Sequence, residues 1–384
     1  MFNFSYQNPT RIVFGKDQLS QLRKLIPTGA KVLLTYGGGS IKHNGVYQQV
    51  IDALKGFDWQ EFSGIEPNPS FETLMRAADV VRREKIDFLL AVGGGSVIDG
   101  TKFIAAAAVF EGDAWDILAK GAKITAAVPL GCVLTLPATG TESNGNSVVT
   151  RYETQQKLSF SSSLVYPTFA VLDPTVTYSL PPKQVANGVV DAFVHVMEQY
   201  MTYPVNAPVQ DRFAEGLLQT LIEEGPKALS NPQDYGVRAN VMWAATMALN
   251  GLIGQGVPQD WATHMIGHEI TALYGLDHAQ TLAIVLPSLL QQQRSSKREK
   301  LLQYGRRVWN LQHQDEERLI DEAINHTRAF FEQMGVPTRL ADYGIKADAV
   351  DKLVKALETN GMLKLGEHGD ITPDVTRQIL QRAV

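Results

Sequence analysis

The stretch Phe88-Leu-Leu-Ala-Val-Gly-Gly-Gly-Ser-Val-Ile-Asp-Gly-Thr-Lys102 decides the fold class. Its apolar start, residues 88–92, reads as a strand covered on both faces, and Gly93-Gly94-Gly95-Ser96 turns that strand into a helix. The same tetrapeptide occurs earlier, where Leu33-Leu34-Thr35-Tyr36 runs into Gly37-Gly38-Gly39-Ser40. Working outward, further strands are expected at Arg11–Phe14, 59–62, 131–136 and Phe169–Leu172, with amphipathic helices at 46–55 and Phe71–Glu84. Alternating strands and helices predict a parallel sheet flanked by helices. From Pro181 the apolar period becomes helical, over 182–202, 208–224, 237–250, 260–274, 281–293, 297–308 and 316–334, with Pro226 and Pro287 among the residues that punctuate it. The expectation is an α/β domain at residues 1–180 and an all-helical domain at 181–384.

Composition excludes several classes. The chain has 384 residues, 44% hydrophobic and 20% charged, which carries neither a disorder nor a membrane signature. A net charge of −5 with no concentrated basic face argues against nucleic acid. No apolar run approaches a bilayer span, and the first residues lack the basic start and apolar run of a signal peptide. A single cysteine, Cys132, lies in a strand and fits a reducing cytoplasm.

The helical half gathers chemistry. Asp191 and His195 are four residues apart, as are His264 and His268, so each pair shares a helix face, and His278 follows closely. One carboxylate and several imidazoles aimed at one point form a ligand set for Zn²⁺ or Fe²⁺. Taken singly, each is an ordinary core or solvated polar residue. Together, in apolar sequence, they are costly to bury without a purpose. In the first half, glycines at strand ends let backbone N–H groups approach phosphate oxygens at a helix start. Neither loop is G-x-G-x-x-G, and each alone reads equally as a tight turn. A third polar loop, Pro137-Ala138-Thr139-Gly140-Thr141-Glu142-Ser143-Asn144, follows the strand at 131–136.

The order of Gly93 to Lys102, Leu136-Pro137-Ala138-Thr139-Gly140-Thr141-Glu142, Asp191-Ala-Phe-Val-His195 and His264-x3-His268-x9-His278 resembles the iron-containing (group III) alcohol dehydrogenase family over essentially the whole chain. Thr35 to Ser40 and Asn187-Gly188-Val189-Val190-Asp191 look most like its NADPH-dependent aldehyde reductases, also called butanol dehydrogenases. The resemblance implies a Rossmann-like dinucleotide-binding domain followed by a helical metal-binding domain, an architecture like that of dehydroquinate synthase. It implies Asp191, His195, His264 and His278 as ligands of one Fe²⁺ or Zn²⁺, with His268 beside them. It implies cofactor contacts at Gly94, Gly95, Ser96, Asp99, Thr135, Thr139, Asn144, Lys157 and Tyr178. NADP(H) is expected over NAD(H), because no acid lies between Tyr36 and Asp52 to repel a 2′-phosphate. Gly38, Gly39 and Ser40 then hold that phosphate with Lys42 as the opposing charge, and an acid at Gly39 is expected to favour NADH.

The activity implied is reduction of short- to medium-chain aldehydes to primary alcohols, reversibly, in a cytoplasmic homodimer. The metal serves as Lewis acid and His268 as proton relay, or only as an orienting neighbour. Three rival readings are a dehydroquinate synthase-like lyase, a glycerol-type polyol dehydrogenase and a non-catalytic metal-binding protein. No Lys/Arg cluster beside the histidines supports the first. The second family's pattern lacks His195 as a ligand. The third leaves the glycine loops without a purpose.

Overall fold

A computed structural model describes residues 1–384. The chain forms two compact units: Gln7–Leu180 with Pro232–Thr246, and Pro181–Asn231 with Met247–Val384 and Met1–Tyr6. The change at Pro181 falls where the apolar period changes. Two segments differ from the sequence expectation, since Pro232–Thr246 joins the sheet unit and the first six residues join the helical one.

In the first unit, β1 (Arg11–Phe14), β2 (Lys31–Tyr36), β3 (Asp58–Phe62), β4 (Phe88–Gly93), β5 (Leu130–Leu134) and β8 (Phe169–Leu172) form one sheet in the order β1-β8-β5-β4-β2-β3. Every pairing is parallel, with Leu33 opposite Leu89 and Ala91 opposite Cys132. Alternate side chains feed two cores, as a strand covered on both faces requires. Leu33, Leu89, Ala91 and Cys132 pack with Leu74, Ala78, Phe103 and Ile104 of the helices Phe71–Glu84 and Gly95–Ala107. Val32, Leu34, Leu90 and Val92 pack with Leu19, Val46 and Val50 on the other face. The helix Phe71–Glu84 starts where Ser70 Oγ accepts from Thr73 N, a cap worth about 1 kcal/mol. It stops at Lys85, which adopts a left-handed φ of 54°.

Two strands lie outside the expectation. β6 (Asn146–Arg151) and β7 (Gln156–Ser161) form a separate antiparallel hairpin with Val149 opposite Leu158. The helix Tyr235–Ala248, expected in the helical domain, belongs to the sheet unit up to Thr246. Its Met242 enters that unit's core, and Trp243 meets Phe14 edge-on at 5.8 Å.

The helical unit is built around Pro182–Tyr200, whose residues from Gly188 to Tyr200 are all buried. A helix buried on every side is a core element. Pro208–Ser230 and His278–Gln292 pack against it, and Ala262–Tyr274 packs against the latter. Pro226 lies inside Pro208–Ser230 instead of following its end, contrary to the expected helix at 208–224, while Pro287 lies inside His278–Gln292, as the helix expected at 281–293 has it. Phe2 N donates to Gly256 O at 2.8 Å, which ties the first residues to this unit. No helix is long and apolar enough to cross a membrane.

Candidate active site

Asp191, His195, His264 and His278 offer ligand atoms that all lie within 4.8 Å of one another. Helical spacing produces this. Asp191 and His195 stand one turn apart on Pro182–Tyr200, His264 sits in the first turn of Ala262–Tyr274, and His278 opens His278–Gln292. Asp191 Oδ2 is 3.8 Å from His195 Nδ1, and its Oδ1 is 3.6 Å from His278 Nε2. Three of the four are nearly sealed from solvent, while the His278 side chain is 23% exposed and marks the open side. Burial, with His264 adding to it, holds His195 well below the usual histidine range, so its ring is neutral and keeps a lone pair to donate. The donor set, one carboxylate and three imidazoles, fits a divalent first-row cation.

His268 lies outside this quartet. Its ring centre is 6.4 Å from that of His264 and 5.5 Å from that of His278, and it is buried. Trp261 walls the cluster, 5.2 Å from the His264 ring, in a left-handed conformation (φ 63°) that costs a non-glycine residue about 1–2 kcal/mol.

The sequence reading missed an outer layer of acids. Glu198 Oε2 meets His264 Nδ1, and its Oε1 accepts from Thr263 N at 2.6 Å. Asp260 Oδ1 accepts from Ala262 N at 2.8 Å, capping the helix that carries His264. Lys297 Nζ lies 2.7 Å from Asp260 Oδ2 and 2.8 Å from Glu367 Oε1, with all three side chains at most 4% exposed. The signal for Glu198 was present, since positions 191, 195 and 198 share one helix face.

In the sheet unit the glycine loops follow β2 and β4, which are neighbours. The chain runs from β2 outward to β3 and returns to β4 on the other side of β2. This reversal is a topological switch point, where open α/β sheets bind ligands beyond the carboxyl ends of their strands. Gly38, Gly39, Ser40, Gly94, Gly95, Ser96, Thr135, Thr139, Asn144 and Tyr178 all follow carboxyl ends of the parallel strands β2, β4, β5 and β8. Their glycines act differently. A Cβ on Gly95 would stand 2.7 Å from Thr139 Oγ1, so the second loop needs glycine for close approach. In the first loop Gly39 has a φ of +94°, and nothing stands within 4 Å of a Cβ on Gly38 or Gly39.

Lys157 reaches the second loop from the unexpected hairpin. Its Nζ donates to Asn68 Oδ1 at 2.9 Å, and Asn68 N donates to Ser96 Oγ at 3.3 Å. Asp99 is buried with both oxygens engaged, Oδ1 by Thr141 Oγ1 at 2.5 Å and Oδ2 by Val148 N at 3.0 Å. Burial raises its pKa, against the pull of Lys102. Lys102, fully buried and missed as a site residue, donates to Thr141 Oγ1, Asn144 Oδ1 and Asn146 O at 2.6, 3.1 and 2.8 Å. Burial pushes its pKa down to about 8, with Asp99 opposing. Glu142, also raised by burial, accepts from Thr246 Oγ1. Lys42 is not free to serve a phosphate alone, because it pairs with Glu61 at 3.3 Å and lies over the Tyr36 and Tyr47 rings.

The sequence profile for iron-containing alcohol dehydrogenase matches residues 9–174, and the family's C-terminal profile matches residues 185–384. The chain belongs to the iron-containing alcohol dehydrogenase family. It is 63% identical over 386 aligned residues to the NADPH-dependent aldehyde reductase YqhD of Escherichia coli, covering 100% of both chains. It is 43% identical to a probable NADH-dependent butanol dehydrogenase of Bacillus subtilis, covering 94% of this chain and 95% of that one. The crystal structure of E. coli YqhD superposes with a TM-score of 0.99, covering 100% of this chain and 99% of that one at 62% identity. Membership in this family of oxidoreductases accounts for a sheet unit with glycine loops and a helical unit with an Asp-His₃ cluster in one chain.

Proposed function

We propose that this chain reduces aldehydes to primary alcohols with NADPH, and runs the reverse reaction with alcohol and NADP⁺. The observation that carries the reading is the buried quartet of Asp191, His195, His264 and His278. It is supported by the 63% identity to a reductase of that activity. The quartet would hold one Fe²⁺ or Zn²⁺, and a divalent ion held there supplies Lewis acidity toward the carbonyl oxygen. NADPH supplies the hydride.

The chain's own residues do the rest. Asp191 brings the one negative charge into a set of neutral imidazoles, which leaves a cation with net charge to act on a carbonyl. The glycine loops after β2 and β4 present backbone donors to the cofactor's phosphates, with Gly38, Gly39 and Ser40 assigned to the 2′-phosphate and Gly94, Gly95 and Ser96 to the pyrophosphate. Thr135, Thr139, Asn144, Lys157 and Tyr178 are assigned to the remainder of the cofactor. Asp99, spent on Thr141 and Val148, shapes that loop rather than offering a free carboxylate. His268, buried beside His278, is the proton relay to the product oxygen.

The test follows NADPH oxidation with butanal. Chelator treatment abolishes turnover and added Fe²⁺ or Zn²⁺ restores it, and Asp191→Ala, His195→Ala and His278→Ala each lose metal and activity together. Metal-free protein with full activity overturns the reading.

A further inference from the structure

We propose that Glu198 is a positioning residue for the metal centre: it fixes the tautomer of His264 so that Nε2 is the nitrogen offered to Asp191, His195 and His278. The inference deepens the functional reading above and rests on the quartet binding a divalent ion.

Glu198 stands seven residues after Asp191 and three after His195, on the same face of Pro182–Tyr200. It is 3% exposed, and its carboxylate is divided between two tasks. Oε1 accepts from Thr263 N at 2.6 Å, and Oε2 meets His264 Nδ1. Burial, with Asp260 adding to it, raises the Glu198 pKa, while the backbone N–H groups of Thr263 and His264 hold the charged form. In that form the carboxylate has no hydrogen to give, so the Oε2 contact is a hydrogen bond when Nδ1 carries the proton. A neutral imidazole with Nδ1–H has its lone pair on Nε2. The carboxylate therefore selects the ligating tautomer, holds the ring's orientation and makes the ring a better donor. One helix thus brings two direct ligand candidates and the group that orients a third.

Glu198 also docks the first turn of Ala262–Tyr274, together with Asp260, whose Oδ1 accepts from Ala262 N. A purely structural role would end there, as a helix cap. Glu198→Gln separates the two roles. The glutamine keeps one oxygen, which continues to accept from Thr263 N, and places an NH₂ group where Oε2 stood. That NH₂ must donate to Nδ1, which forces the neutral His264 ring to carry its proton on Nε2. The cap survives while the ligating lone pair is withdrawn.

The experiment uses full-length protein stripped by chelator and titrated with Zn²⁺ against a competing chromogenic chelator. Selectively ¹⁵N-labelled histidine reports the His264 tautomer in the metal-free protein, and thermal melting is followed in parallel. Wild type is expected to show His264 with Nδ1–H. Glu198→Gln is expected to show Nε2–H, to melt as wild type does when metal-free, and to bind Zn²⁺ about 10- to 100-fold more weakly. Glu198→Asp, which keeps the charge, is expected to recover part of that affinity. The proposal is overturned if Glu198→Gln binds Zn²⁺ as tightly as wild type. It is equally overturned if affinity falls only with a lower melting temperature and an unchanged tautomer, since that is the signature of a cap. Wild-type protein that binds no Zn²⁺, or an Asp191→Ala variant that binds it as wild type does, overturns the metal reading itself.

Discussion

Lys297→Met tests whether the buried charges behind the quartet are integral to the helical unit. Lys297 Nζ lies 2.7 Å from Asp260 Oδ2, 2.8 and 2.9 Å from the two Glu367 oxygens, and 2.8 Å from Met201 O. Methionine fills the stem's volume but leaves two buried carboxylates facing each other without a cation. Breaking a buried ion pair costs about 3–5 kcal/mol, and the lost bond to Met201 O adds about 1 kcal/mol. At about 2–4 °C per kcal/mol for a unit of this size, the helical unit's melting temperature should fall by roughly 8–24 °C. The pH dependence carries the sign. In wild type, burial lowers the Lys297 pKa but Asp260 and Glu367 more than offset it, so the net shift is upward and the ammonium stays charged throughout the neutral range. In the variant Glu367 loses its cation, and the burial that already raises its folded pKa acts without that opposing charge. An acid raised in the folded state destabilises at high pH and ceases to do so once protonated in both states. The deficit is therefore largest near about pH 8 and shrinks toward about pH 5. Differential scanning calorimetry across that range reads it, and Lys297→Met with Glu367→Gln should recover part of the loss. A deficit under about 2 °C, or one that grows with acid, refutes the argument.

Three further outcomes are expected. His268→Ala keeps its metal, measured by elemental analysis, but loses about 100-fold in turnover with an altered pH profile; loss of the metal instead would make His268 a ligand. An acid in the first glycine loop should shift preference toward NADH by about tenfold or more through like-charge repulsion. Gly38→Asp is the cleaner substitution, because Gly39 has a φ of +94° that strains any side chain, and an unchanged NADPH/NADH ratio of kcat/KM removes this loop from 2′-phosphate recognition. For Lys102, held down to about 8 by burial, the unfolded chain binds the extra proton between that value and the ordinary 10.5. Its contribution to stability therefore rises with pH across the window, on the order of 3 kcal/mol, and denaturant titrations of Lys102→Met should lack that rise relative to wild type.

What could be read from the sequence follows from which interactions are local. β2 and β4 were legible because they are apolar on both faces and end in glycine, and both loops belong to the side of the sheet where the strand order reverses. Asp191 with His195 was legible because helical spacing alone puts them on one face. The β6–β7 hairpin was not, because its buried positions mix polar and apolar residues: Val149 and Phe160 enter the core, but Ser147 Oγ donates to Asp99 O and Lys157 to Asn68, so no apolar alternation marks it. Pro226 and Pro287 each cost a backbone hydrogen bond but leave the following turns intact, which the usual helix-breaking rule does not foresee.

The helix Tyr235–Ala248 shows the deeper limit. Its period announces a helix, yet nothing in a period names the partner. The partners are distant in sequence: Phe14 for Trp243, and Glu142 for Thr246. Glu142 sits in the loop whose neighbours Thr141 and Asn144 are held by Lys102, with Asp99 closing the network through Thr141. The loop assigned to the cofactor is thus fixed from one side by the helix that follows β4 and from the other by a helix about a hundred residues further along the chain. The Asp-His₃ cluster has the same logic, with His264 held by Glu198 and the start of its helix held by Asp260 and, through it, Lys297. In both places the residues proposed to meet the ligand are spaced by local geometry and can be read from the sequence. The buried ions that hold them come from elsewhere in the chain, and only the fold brings them together.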